Sequence, residues 1–217
     1  MVKLGNVFIL GDSYSTFEGY IPEGFGAYYA PVPKTDTDVN KVEQTWWMQV
    51  LNNSESKLIR NCSWSGTTIC NTGYEGNKNV RSFIRRFDAL CEEGFFEKNK
   101  IDTFIIFGGT NDNGANSPLG EIKHENWTEE DLYSYYPAIC YLAHRVNEIL
   151  PNARIIYIVN TDIRQSIITG IDEACQKYNS EKIVLKDIDK RSWHPTILGM
   201  QQIALQVLDY FNRQENK

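Results

Sequence analysis

The stretch Val7-Phe8-Ile9-Leu10-Gly11-Asp12-Ser13-Tyr14-Ser15 sets the reading of the whole chain. Four apolar residues in a row, closed by Gly-Asp, predict a short buried strand that ends in a tight turn. The run is much shorter than the apolar core of a signal peptide, and no stretch elsewhere reaches the ~18 apolar residues of a membrane span. Working outward, similar β-rich runs lie at Leu58–Ile59, Thr103–Phe107, Ile155–Val159 and Ile183–Leu185.

Stretches with helical spacing separate these runs. Glu43–Leu51 is the first. Val80–Leu90 puts Phe83, Ile84, Phe87 and Leu90 on one face, leaving Arg81, Arg85 and Arg86 largely off it as solvated surface. A capping pair, Thr128 and Asp131, opens a helix predicted to run to Leu150, with a kink or break at Pro137. Gln165–Tyr178 and Pro195–Phe211 follow, the latter with proline in its first turn. Strands alternating with helices predict an α/β fold: a three-layer α/β/α sandwich on a mostly parallel sheet of about five strands.

The 217 residues suit a single domain, 1–217, with two long insertions at about 15–45 and 113–130. Lys and Arg total 22 against 28 Asp and Glu, a net charge of −6, which argues against a nucleic-acid partner because phosphate binding needs a basic field. The five cysteines are odd in number and lack metal-ligand spacing or a C-x-x-C pair, so buried reduced thiols are expected. With no leader-like start, the expectation is a cytoplasmic protein without membrane contact, unless a leader has been removed.

In an open parallel sheet the site lies beyond the C-terminal strand ends. There the sequence places Ser13 after the first strand, Gly66 after the second, Asn111 after the third and His194 just before the last helix. A serine hydroxyl becomes a nucleophile when a neighbouring base takes its proton, and histidine titrates in the right range. Backbone N–H groups and an asparagine amide can stabilise the oxyanion of acyl transfer. The glycines at 108 and 109 lack G-x-G-x-x-G spacing, which disfavours a dinucleotide-binding reading.

The blocks Gly11-Asp12-Ser13-Tyr14, Gly66, Gly108-Gly109-Thr110-Asn111-Asp112 and His194-Pro195 resemble those of the SGNH, or GDSL-type, hydrolases from residue 5 to 211. The resemblance implies a flavodoxin-like α/β/α fold and a carboxylic ester hydrolase. Ser13 would be the nucleophile and His194 the base. The Ser13 and Gly66 N–H groups and the Asn111 side chain would form the oxyanion hole. The family's last block usually reads Asp-x-x-His, but Arg191 stands three residues before His194. A Ser–His dyad is therefore expected, with a backbone carbonyl holding the imidazole, and Asp189 as the possible side-chain orienter. Tyr14, where the family often has leucine, is expected to pack near the acyl site.

The first insertion carries Phe17, Tyr20, Phe25, Tyr28 and Tyr29, followed by Trp46 and Trp47. Aromatics with polar edges suit sugar rings; the alternative is a small core that holds the loop down. Tyr14, Trp64, Tyr20 and Trp127 are the substrate-contact candidates. The expected substrate is a small-molecule or carbohydrate acyl ester, plausibly an O-acetyl sugar, cleaved without cofactor or metal. The alternative is a weakly active or inactive SGNH-fold protein that binds a glycan or acyl group.

Overall fold

A computed structural model describes residues 2–74 and 81–215. Five parallel strands form one sheet: β1 (Val2–Gly11), β2 (Ser54–Ser63), β3 (Thr103–Phe107), β4 (Arg154–Val159) and β5 (Glu181–Val184). Their spatial order is β2-β1-β3-β4-β5. Along β1, Phe8 and Leu10 face a core shared with Phe104, Ile106 and Tyr157. Val7 and Ile9 face a second core with Ile105, Phe107 and Ile156. The period-two alternation of apolar side chains thus buries both faces, as a parallel sheet between helices requires.

Three helices cover the first face: α2 (Phe83–Glu92), α5 (Tyr135–Ile149) and α6 (Gln165–Lys177), with the short α3 (Phe95–Lys98) beside α2. The second face is covered by α1 (Trp46–Asn52) and α7 (Ile197–Glu215). A five-residue helix, α4 (Thr110–Gly114), follows β3, and a small antiparallel hairpin of β6 (Lys190–Arg191) and β7 (His194–Pro195) precedes α7.

Several elements differ from their sequence expectations. β1 and β2 both start well before their apolar runs; β2 is an edge strand, and its early positions Glu55 and Lys57 are exposed. Thr128 and Asp131 do exchange capping bonds, Thr128 N–H to Asp131 Oδ2 at 2.6 Å and Asp131 N–H to Thr128 Oγ1 at 3.3 Å. They close only a single 3₁₀ turn, Asp131–Tyr133, and α5 starts at Tyr135. Pro137 is therefore in the first turn of α5, where a missing N–H costs no helical bond, so the expected kink has no cause. Helix α2 starts at Phe83, capped by Ser82 Oγ, which accepts the Arg85 N–H at 3.1 Å; Val80 lies outside the described residues. Pro195 belongs to β7, and α7 begins beyond it, with Thr196 Oγ1 accepting the Gly199 N–H at 3.1 Å.

Register brings the strand ends level. Gly11 at the end of β1 is paired with Ser63 of β2 and with Phe107 of β3. Strand order reverses at β1 and β3, which opens a crevice at their C-terminal ends.

Candidate active site

Ser13 opens a 3₁₀ turn, Ser13–Ser15, immediately after β1. Asp12 caps it, its Oδ1 accepting the Tyr14 N–H at 3.0 Å. Burial pushes the Asp12 carboxyl up to about 7, against the opposing pull of the Tyr14 amide and the Arg86 guanidinium. Arg86, expected on the solvated side of α2, is instead 5% exposed. Its guanidinium donates to the Gly11 carbonyl at 3.1 Å, to Thr67 Oγ1 at 3.0 Å, to the Arg81 carbonyl at 2.9 Å and to the Cys62 carbonyl. Where the ladder between β1 and β2 ends, strand-end carbonyls need donors, and one buried arginine supplies several.

The imidazole expected as the base comes from the hairpin. His194 Nε2 lies 3.0 Å from Ser13 Oγ, and Nδ1 lies 3.0 Å from the Ser192 carbonyl. A carbonyl only accepts, so Nδ1 must carry the proton, which leaves Nε2 free to accept from the serine. Asp189 does not hold the imidazole. Its carboxylate accepts the Thr196 hydroxyl, and its backbone N–H donates to Gln202 Oε1 at 2.7 Å. The hairpin turn that aims the Ser192 carbonyl puts Ser192 (φ 47°) and Trp193 (φ 67°) in the left-handed region, as a two-residue hairpin of this twist demands. Tyr14 pins that turn by donating from its hydroxyl to the Trp193 carbonyl at 2.5 Å. Tyr14 is therefore buried beneath the imidazole, edge-on to Phe107, and what it has over leucine is this hydroxyl. Burial holds the His194 imidazolium below its ordinary 6.5, outweighing the upward pull of the Ser192 carbonyl and Asp36.

Asn111 lies in α4 and is 7% exposed. Its Nδ2 donates to the Thr67 carbonyl at 3.0 Å and makes a longer contact, 3.3 Å, to Asp12 Oδ2. Tyr74, unnoticed in the sequence, donates to Asn111 Oδ1 at 2.8 Å and fixes which edge of the amide faces the crevice. Gly66 takes φ +73°, a conformation that only glycine adopts at little cost. The loop that carries it is tied to α4 by Asp112, which accepts the Ile69 N–H at 2.8 Å and the Cys70 N–H at 3.2 Å. Burial pushes Asp112 up to about 6, with those amides pulling the other way.

The substrate-contact candidates disperse. Trp64 stacks on Phe25 with centroids 4.0 Å apart, which occupies a face of its indole. Tyr20 is 46% exposed and rests on Phe17 and Trp47. Trp127 packs on Tyr141 and His144 of α5 and donates to the Lys123 carbonyl at 2.8 Å, so its contacts lie with α5 and not with Ser13 or His194. Residues 16–41 form no helix or strand, and Phe17 and Tyr29 are buried with Trp46 and Trp47. Much of the aromatic wealth thus anchors the loop, since an irregular segment this long needs apolar contacts to offset its ordering entropy. Tyr28, one of the insertion aromatics expected to meet a sugar or to hold the loop down, instead stacks on the imidazole, and Trp193, given no role in the sequence, is 85% exposed beside it. Among the described residues no cluster of His, Cys, Asp and Glu is arranged to hold a metal, and no helix is long and apolar enough to cross a membrane.

A parallel β2-β1-β3-β4-β5 sheet with serine, asparagine and histidine gathered beyond its strand ends defines an α/β/α hydrolase of the GDSL class. The chain belongs to the GDSL-like lipase/acylhydrolase family, whose sequence model matches residues 5–211. It is 41% identical to a protein of Bacteroides ovatus described as a GDSL-like lipase, with a TM-score of 0.89 over 98% of this chain and 99% of that one. A Bacteroides uniformis protein of the same description is 42% identical, with a TM-score of 0.88 over 96% and 95%. A family two carbohydrate esterase from Clostridium thermocellum shares the fold at 17% identity, with a TM-score of 0.66 over 99% of this chain and 65% of that one. No curated protein matches the chain.

Proposed function

We propose that the protein is a serine esterase that removes short acyl groups, acetyl foremost, from carbohydrate esters. The observation that carries this reading is the pair of 3.0 Å contacts of His194, Nε2 to Ser13 Oγ and Nδ1 to the Ser192 carbonyl. Ser13 Oγ attacks the ester carbonyl while His194 Nε2 takes its proton. The Ser13 and Gly66 N–H groups and Asn111 Nδ2 stabilise the oxyanion. His194 returns the proton to the departing alcohol, leaving acyl-Ser13. Water, deprotonated by His194, then attacks the acyl-enzyme; His194 returns that proton to the departing Ser13 Oγ, and the acid is released.

The carbohydrate part rests on two supports. Structures that share the fold include a family two carbohydrate esterase in complex with cellohexaose and an acetyl xylan esterase from Butyrivibrio proteoclasticus. An exposed indole also stands on the residue next to the base, and a Trp face suits a sugar ring. The test is a series of 4-nitrophenyl acetate, butyrate and octanoate together with acetylated xylan, run on wild type and Ser13→Ala. Turnover falling with chain length, acetate release from the xylan, and loss of both in Ser13→Ala are expected. Octanoate preferred over acetate would reject the short-acyl reading, and activity retained in Ser13→Ala would reject the nucleophile.

A further inference from the structure

The in-plane contacts of His194 leave one degree of freedom open. Ser13 and the Ser192 carbonyl hold the two ring nitrogens, but neither stops the imidazole from tilting about the line that joins them. Tyr28 of the first insertion lies flat against the ring, with centroids 3.5 Å apart and planes 12° from parallel. The phenol is itself fixed, donating to Asp36 Oδ2 at 2.9 Å. Its backbone reaches the other half of the site: the Tyr28 N–H donates to Thr16 Oγ1 at 2.9 Å, and that hydroxyl donates to the Ser13 carbonyl at 3.0 Å. The next residue, Tyr29, donates from its hydroxyl to the Pro195 carbonyl at 3.0 Å, directly after the base. Lys34 Nζ closes the loop onto the Tyr28 carbonyl at 2.5 Å.

We propose that Tyr28 is a positioning residue that clamps the face of His194 and ties the base to the nucleophile's own turn. The proposal deepens the Ser13–His194 reading and rests on it. The insertion between β1 and α1 is then part of the catalytic frame, because a reacting group misplaced by ~1 Å can lose ~10²-fold in rate. The charged groups acting on the imidazole are Asp36 from the insertion and Lys190 from the hairpin, which pull in opposite directions; the phenols of Tyr14 and Tyr29 flank it.

The experiment compares wild type with Tyr28→Ala, Tyr28→Leu and Tyr28→Phe. It measures kcat and KM on 4-nitrophenyl acetate and follows the His194 ring by NMR titration. Tyr28→Ala is expected to lower kcat ~10-fold or more with KM within ~3-fold, and Tyr28→Phe, which keeps the flat face, to restore most of the loss. Water admitted to the ring face should raise the His194 midpoint in Tyr28→Ala. A kcat within ~2-fold of wild type, or an effect confined to KM as for a substrate contact, overturns the clamp. If Tyr28→Ala does not fold, Tyr28→Leu decides on the same criteria. The titration needs no turnover. A wild-type protein inert on all esters would therefore sink the hydrolase reading alone, while the clamp stands if the midpoint rises in Tyr28→Ala and falls if it does not.

Discussion

Asp189 is the carboxylate nearest to His194 in the preceding sequence, and replacing it separates a dyad from a triad. In the structure the Asp189 side chain is exposed and accepts the Thr196 hydroxyl, while His194 Nδ1 is held by the Ser192 carbonyl. Asp189→Ala therefore removes one partner of a hydroxyl beside the start of α7. That is worth about 0.5–1.5 kcal/mol of folding stability. The imidazole keeps its tautomer, so kcat/KM on 4-nitrophenyl acetate should change less than ~3-fold. If the carboxylate oriented the base, its loss would cost ~10⁴-fold, about 5 kcal/mol of transition-state stabilisation. The two outcomes differ by more than ~10³-fold, far beyond assay error. Urea unfolding of the same samples would separate the small stability loss from any catalytic one. A drop in kcat/KM as large as that of His194→Ala, in a protein that remains folded, would refute the carbonyl-held dyad.

Three further expectations follow from the site. Asn111→Ala removes the proposed oxyanion donor and should lower kcat about 10²–10³-fold with circular dichroism unchanged; kcat within a few-fold of wild type would remove Asn111 from the proposed oxyanion hole. Burial lowers the His194 midpoint, and the base works only when neutral, so the acid limb of kcat/KM should lie below 6.5. The same shift means the unfolded chain binds the extra proton first, so this group's contribution to stability is present above 6.5 and is lost as pH falls through the lower folded midpoint. A limb above 6.5 would contradict the buried environment. Arg86→Met strands the Gly11 and Cys62 carbonyls and should cost about 3 kcal/mol or more in urea unfolding; a loss under about 1 kcal/mol would show that they find other donors.

The parts of this molecule that announce themselves in sequence are those governed by period and punctuation. The apolar runs at Val7–Leu10 and Thr103–Phe107 fall within β1 and β3, and the turns after them carry Ser13 and Asn111 to one edge of the sheet. The short blocks around Ser13, Gly66, Asn111 and His194 point to the family because each follows or precedes a regular element. What stayed hidden depends on contacts remote in sequence or on irregular backbone. Arg86 looks like helix surface until the ends of β1 and β2 are placed above it. Tyr28 lies 166 residues before the imidazole it covers, in a segment without periodicity. The Ser192 carbonyl is a backbone group aimed by two left-handed residues, and no side-chain pattern encodes it. Trp127 misled for the opposite reason: a tryptophan in a long loop reads as a binding residue, yet α5 gives it a packing partner.

The central claim is that Ser13 carries the acyl group in turnover. Acid-quenching the protein during rapid turnover of 4-nitrophenyl acetate, then mapping peptides by mass spectrometry, tests it directly. The account expects a single acetyl adduct on Ser13 that forms within the burst, decays with the steady-state rate and is absent in His194→Ala. Ester turnover with no adduct on Ser13 in a deacylation-slowed sample, or an adduct on another residue that forms and decays at the rate of turnover, would contradict it.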